Sequence, residues 1–167
     1  MNITTDRLII TEFIADMAMD VHLNSLDEDV RRFVPDEVFP TLEDAQETVD
    51  FLMSRYAGLE DPLVYPVLLK DGANIGYVQL VGIDEGYEIG YHIAKAHTGK
   101  GYAAEAVRAF LPQIMQMKEI GEIHGICDAE NTASRRVLEK CGFVKTFEGM
   151  GPYHGSETRI CRYIFRR

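Results

Sequence analysis

The chain has no tryptophan, only three cysteines, few basic residues and no long apolar run. Each shortage excludes something. Cys127, Cys141 and Cys161 are odd in number and lack the close spacing of a zinc clip, so neither a disulfide framework nor a metal site is expected. The longest stretch without charge, Gly72 to Ile83, falls short of the roughly 18 residues of a membrane span. Met1-Asn2-Ile3-Thr4-Thr5-Asp6-Arg7 has no basic segment followed by an apolar one, so no secretory signal is expected and the expected compartment is the cytoplasm. Lys and Arg number 17 against 27 Asp and Glu, a net charge of −10. Phosphates demand a basic surface, so neither nucleic acid nor anionic lipid is an expected partner.

What remains is an ordinary globular composition, 46% hydrophobic and 26% charged over 167 residues. No repeat, linker or low-complexity tract divides it, so residues 1–167 read as a single domain. The charge is uneven. Residues 12–61 hold 14 acids against 3 bases, the whole of the acid excess, and the rest is close to neutral. Such a segment is either a solvated face or a rim that attracts a cationic ligand.

Periodicity sets the elements. Arg7-Leu8-Ile9-Ile10 reads as an opening strand, and Ile14, Met17, Ala18 and Val21 recur at helical spacing. Thr41 is a helix cap with Asp44 as its reciprocal partner, and Leu42, Ala45, Val49, Leu52 and Tyr56 form one apolar stripe behind it. A strand over 63–69 carries Pro66, which predicts an edge position or a bulge. Strands follow over 75–81 and 87–93, separated by Asp84-Glu85-Gly86. In the second of these, Tyr87, Ile89, Tyr91 and Ile93 share one face, and Glu88, Gly90 and His92 the other. A helix over 101–118 contains Pro112, which should kink or shorten it. A strand over 123–127, a helix over 131–140 and strands over 143–147 and 158–165 complete the chain, with 149–157 as the loop of a hairpin. The sum is α/β, with a mixed sheet of about seven strands.

Two motifs carry chemistry. In Gly99-Lys100-Gly101-Tyr102-Ala103-Ala104, glycines precede a helix start, where free N–H groups and the helix dipole favour an anion. A tight strand-to-helix turn has the same look. The Walker A pattern is absent. A dinucleotide fingerprint is met formally by Gly99, Gly101 and Ala104, but Lys95-Ala96-His97-Thr98 separates it from its strand, and too little chain follows for a nucleotide domain. The second motif is Asn131-Thr132-Ala133-Ser134 through Gly142-Phe143. Asn131 is a good helix N-cap and Gly142 a good C-terminal stop.

In this order, together with Thr5-Asp6-Arg7-Leu8-Ile9-Ile10 and Glu88-Ile89-Gly90-Tyr91, the motifs resemble the GNAT superfamily of N-acetyltransferases, and within it the ribosomal-protein N-terminal acetyltransferase type. The resemblance covers nearly the whole chain. It implies a GNAT-like, mostly antiparallel sheet with helices on both faces, and acetyl-CoA as co-substrate without a metal. It implies that backbone N–H groups from Gly99 through Lys100, Gly101, Tyr102 and Ala103, with Ala104 beyond them, hold the pyrophosphate. The backbone of Tyr91, His92 and Ile93 would run beside the pantetheine arm, where one N–H polarises the thioester carbonyl. Asn131 would contact that arm or order its helix. Ser134 would protonate the leaving thiolate and line the cofactor.

The chain departs from the superfamily pattern twice. Ala96 stands where Gln or Arg often opens the loop, and Leu138 stands where many members have a tyrosine acid. Glu88, a carboxylate among apolar strand residues, is the first choice as base, with Glu85 and His92 in reserve. Glu88 and His92 would lie about 13 Å apart along the strand, too far for a dyad. Tyr153 and His154 are weaker expectations for contact with the acceptor.

The expected reaction is direct attack by a primary amine, of a peptide N-terminus or a small molecule, on the thioester, and the acidic segment favours a cationic acceptor. A catalytically weak or inactive acyl-CoA-binding module is the alternative, and a nucleotide-dependent oxidoreductase a more distant one. The expected state is monomer or homodimer.

Overall fold

In the computed structural model, which describes residues 1–167, one eight-stranded sheet runs through the molecule in the order β1-β2-β3-β4-β5-β6-β8-β7. The strands are β1 (Ile3–Thr4), β2 (Leu8–Ile10), β3 (Leu63–Leu69), β4 (Asn74–Ile83), β5 (Gly86–Ile93), β6 (Glu122–Asp128), β7 (Val144–Tyr153) and β8 (Ser156–Arg166). Every neighbouring pair is antiparallel except β5 and β6. The eighth strand is β1, two residues paired with the end of β2, too short to leave a pattern in the sequence.

Helices cover both faces. On one lie α1 (Ala18–Ser25) and α3 (Leu42–Arg55), linked by α2 (Glu28–Phe33) and a short turn of 3-10 helix, Pro35–Glu37. On the other lie α4 (Tyr102–Met117) and α5 (Thr132–Lys140). Strand alternation sorts the core accordingly. Leu63, Tyr65 and Val67 of β3 join Phe110 and Ile114 of α4, while Val64 turns to Val49 and Leu52 of α3. Thr41 and Asp44 form the reciprocal cap of α3 as expected.

Four expectations need correction. Pro66 does not mark an edge: β3 is buried between β2 and β4. Its carbonyl accepts from the Thr11 N–H at 3.4 Å, one residue past the end of β2, so the missing proline N–H falls where that ladder has already stopped. The bulge belongs to the partner strand, where Ile75 is the extra residue opposite Val67 and Leu68. Ile14 is 54% exposed and only precedes the first helical turn, so the buried stripe starts later than its spacing implies. Pro112 does not shorten α4, which runs on to Met117; the proline lies on the solvent side, where water can satisfy the freed carbonyl. The loop over 149–157 is mostly strand, because β7 and β8 stay paired to Tyr153 and Ser156 and leave only His154-Gly155 as the turn.

Candidate functional site

Strands β5 and β6 meet at one parallel pair, Glu88 with His124, and beyond it they part. A gap therefore opens through the sheet from Ile89 onward. The Ala94 N–H donates to the Ile75 carbonyl at 2.8 Å, on the β4 side. Alternation then turns the His92 N–H toward β4 as well, and the N–H groups of Tyr91 and Ile93 toward the gap. Of the three residues whose backbone is expected beside the pantetheine arm, Tyr91 and Ile93 turn their N–H groups to the gap, and His92 turns its own to β4.

At the far end of β5 the chain makes a 3-10 turn, Lys95–His97, and reaches the glycine turn. Gly99 and Gly101 both have positive φ, 76° and 84°, which glycine adopts without strain. No hydrogen bond within the chain uses the backbone N–H groups of Gly99, Lys100, Gly101, Tyr102, Ala103 or Ala104; Glu105 is the first to donate, to Gly101 at 3.1 Å. Free donors gathered at the start of a 16-residue helix have the geometry of an anion cradle. The opening motif of the chain braces it. Arg7 donates to the Lys100 carbonyl at 2.9 Å and pairs with Glu105, and the Thr5 hydroxyl reaches the same carboxylate at 2.6 Å. Burial alone would raise the Glu105 pKa, but Thr5 and Arg7 hold it below its usual value. Arg7, Arg108 and Lys140 line a recess beside Gly101.

The gap is the floor of a cleft of about 400 Å³. On the α5 side, the Ser134 hydroxyl lies 2.9 Å from the Tyr91 hydroxyl, and Tyr91 also donates to the Ser134 carbonyl at 3.0 Å. Burial pushes the Tyr91 phenol far up, so it stays protonated. Asn131 accepts from the Ser134 N–H at 3.0 Å, which makes it the cap of α5. On the opposite side stand Glu88 and His92, with Tyr153 and His154 above them. Burial pushes Glu88 up to about 7, against the Ile126 backbone and the Arg162 cation, which pull it down. Burial lowers the His92 pKa, with Asp27 and Asp29 opposing, and the buried Nε2 atom has no hydrogen-bond partner. His154 Nδ1 lies 2.7 Å from Asp36.

A family model described as an acetyltransferase (GNAT) domain matches residues 7–144. The chain belongs to the GNAT acetyltransferase family. It is 33% identical over 146 residues to the uncharacterized N-acetyltransferase YnaD of Bacillus subtilis (strain 168), covering 85% of this chain and 82% of that protein. A GNAT acetyltransferase from Bacillus anthracis superposes with a TM-score of 0.84 at 29% identity, covering 99% of this chain and 98% of that one. The ribosomal L7/L12 alpha-N-protein acetyltransferase RimL, solved with coenzyme A, has a TM-score of 0.83 at 15% identity over 99% and 98% of the two chains, and shares the fold. The protein is therefore an acyltransferase, with the mostly antiparallel GNAT sheet expected from its motifs.

Within this GNAT frame the two departures have local answers. Ala96 offers no side chain to the cradle, but its carbonyl accepts from the Lys100 ammonium at 3.3 Å, and Arg7 stands beside Gly101. Leu138 is a core residue, 1% exposed, packed over Gly125. The phenol beside Ser134 comes instead from Tyr91 on β5.

Sequence reasoning missed Glu37. It ends the 3-10 turn before α3, is largely buried in the same cleft as Glu88, and accepts from Gln79 Nε2 at 3.1 Å. Burial pushes it up to about 7; Gln79 and His154 pull it down and Asp36 pushes it further up. Gly90 makes room for this arrangement, since a Cβ there would meet Gln79 Nε2 at 2.5 Å. Nothing in Pro35-Asp36-Glu37 distinguishes this carboxylate from its solvated neighbours. The acid-rich segment thus serves both ways: Glu43, Glu47 and Asp50 face solvent, while Asp29, Asp36 and Glu37 line the cleft. No Lys or Arg lines it.

Proposed function

We propose that residues 1–167 act as one N-acetyltransferase domain that transfers an acetyl group from acetyl-CoA to a primary amine by direct attack. The observation that carries this reading is the opening between β5 and β6, with Glu88 on one side of the sheet and the Tyr91–Ser134 pair on the other. Bound acetyl-CoA would supply an activated acetyl thioester. The free N–H groups of Gly99 through Ala104 suit its pyrophosphate, with the recess cations nearby. The Tyr91 and Ile93 N–H groups face the gap, where a donor stabilises charge developing on the carbonyl oxygen. Glu88 accepts the ammonium proton, directly or through water; a carboxylate near 7 is ionised in part and still basic enough to do so. As the C–S bond breaks, Ser134 gives its proton to the departing sulfur and regains one, through water, from the nitrogen of the tetrahedral intermediate; Asn131 fixes the first turn that carries the serine. A thiol with a pKa of about 8.5 is a fair leaving group, so a weak acid suffices. The acidic lining of the cleft favours an acceptor that arrives as a cation, either a peptide N-terminus or a small amine.

Thermal unfolding with acetyl-CoA, against an NAD control, tests the first half. Ligand at 100 times its dissociation constant adds about 2.7 kcal/mol, so a clear upward shift with acetyl-CoA alone is expected. Release of free thiol in the presence of amines, lost in Glu88→Gln, tests the second. Tight acetyl-CoA binding without turnover of any amine would favour a binding module instead.

A further inference from the structure

A second cavity opens off the Glu88–Glu37 side of the cleft. It measures about 440 Å³ and lies between α1, α3 and the face of β3 and β4 that these helices cover. Phe13, Val21, Phe39, Leu52, Val64 and Tyr77 form its apolar wall. Glu37, Gln79 and His92 line both spaces, so the two adjoin. The cavity lies across the sheet from the glycine turn and from Ser134, and the chemistry described above leaves it unused.

Most of its polar residues are already committed; the exception, the unpartnered His92 Nε2, sits where the cavity meets the cleft. The Ser25 hydroxyl donates to the His22 carbonyl at 2.8 Å and accepts from the Phe39 N–H at 2.9 Å. Thr48 donates to the Asp44 carbonyl at 2.9 Å, and Asn24 to the Asn74 carbonyl at 3.1 Å. The interior therefore presents mainly carbon, while carboxylates stand only at the mouth, on Asp36 and Glu37. A second ammonium carried inside would be buried without a partner, which is costly. An apolar group would instead leave water for a matching wall, and the volume is within the range of small-ligand sites.

We propose that this cavity holds the apolar arm of the acceptor, which is then a primary amine separated by a short spacer from a ring-sized apolar group. The inference rests on the N-acetyltransferase reading and narrows it. Polyamines are disfavoured by the same wall. A free arylalkylamine and a chain beginning with an aromatic residue present this chemistry alike.

Turnover of 2-phenylethylamine, ethylamine, spermidine and a short peptide with N-terminal phenylalanine tests it, with acetyl-CoA thermal stabilisation recorded on the same protein. The expected kcat/KM for 2-phenylethylamine exceeds that for ethylamine by about 10- to 100-fold, the effect of burying such a group. Val21→Trp, with Thr48→Leu as a second plug, should bring that ratio toward one and leave the acetyl-CoA shift unchanged. Preference for the peptide over the free amine would support the same arm chemistry and name a chain terminus as its source. Equal rates for ethylamine and 2-phenylethylamine, or faster turnover of spermidine, would overturn the proposal and leave the N-acetyltransferase reading intact. Loss of the acetyl-CoA shift together with all turnover would instead sink that reading. Calorimetric titration of 2-phenylethylamine into the protein with CoA then decides the cavity separately, and no binding there overturns the proposal.

Discussion

The hydroxyls of Tyr91 on β5 and Ser134 on α5 lie 2.9 Å apart across the gap that separates β5 from β6. Two arrangements of their protons are open to them. If Tyr91 donates to the Ser134 carbonyl, the serine proton points back at the phenol. If Tyr91 donates to the serine oxygen, the serine proton is free to face a leaving group. The phenol thus sets the direction in which Ser134 can act.

Ser134→Ala should lower kcat by about 10- to 100-fold, at or below the usual range for a general acid because the thiolate is a fair leaving group. Tyr91→Phe removes one partner of a buried pair and should cost about 1 kcal/mol of stability as well as rate. Steady-state kinetics with both substrates, beside denaturant unfolding of each variant, separates the two effects. A Ser134→Ala enzyme with unchanged kcat would remove serine from the reaction.

Glu88 gives a pH dependence with a definite sign. Its raised pKa predicts that kcat/KM rises with pH through about 7 as the carboxylate ionises. The limb should vanish in Glu88→Gln. The charge of Glu37 is among the influences that hold Glu88 up, so Glu37→Gln should move the limb to lower pH. A profile that is flat in the wild type from about one pH unit below 7 to about one above would contradict this assignment.

The same carboxylate is a cost to the fold. A group whose pKa is raised on folding favours the native state fully below its unfolded value, 4.5, and loses that contribution as pH rises through about 7. Stability from Glu88 and Glu37 should therefore fall across that window. Glu88→Gln should raise Tm at pH 8, by an amount corresponding to on the order of 3 kcal/mol, and leave it nearly unchanged near pH 4.5. Melting curves at the two pH values check the sign directly.

Gly101 tests the cradle without touching the cleft. Its φ of 84° is strained for alanine, although the added Cβ would lie 3.6 Å from the nearest atom, on Arg7. Gly101→Ala should cost about 1 kcal/mol and raise KM for acetyl-CoA several-fold, with kcat changed little. Arg7→Ala should act in the same direction, since Arg7 holds the Lys100 carbonyl. An effect on kcat alone would detach the turn from cofactor binding.

Gly76 probes the frame that sets the gap. A Cβ there would lie 2.0 Å from the His92 carbonyl oxygen, backbone that cannot move aside. Gly76→Ala should push β4 from β5 and destabilise the fold by roughly 3 kcal/mol or more, among the larger single-site effects. Urea unfolding measures it; a change below 1 kcal/mol would mean the bulge at Ile75 absorbs the clash.

Much of this protein was legible from local pattern. The reciprocal cap at Thr41 and Asp44, the alternation along β5 and the glycine turn before α4 all depend on neighbours a few residues away. Chain-local physics decides those: φ preference, cap geometry and side-chain period. The GNAT motifs could be placed for the same reason, because each is a short turn or cap with its own chemistry. Other features depend on what stands opposite in space. Pro66 looks like an edge until the end of β2 shows where its missing N–H points. Only the sheet order puts Tyr91 against Ser134, or makes the sense of the Tyr91 and Ile93 N–H groups meaningful. Glu37 became a cleft carboxylate because Gln79 crosses bare Gly90 and reaches it over a separation of 42 residues. Burial raises its pKa, and burial is a property of the packed chain. The sequence by itself determined most of the elements, the family motifs and an acid-rich segment. The tertiary structure alone decided which acids enter the cleft and which face of the sheet is left with an apolar cavity beside them, because desolvation and cavity shape arise only when distant segments pack.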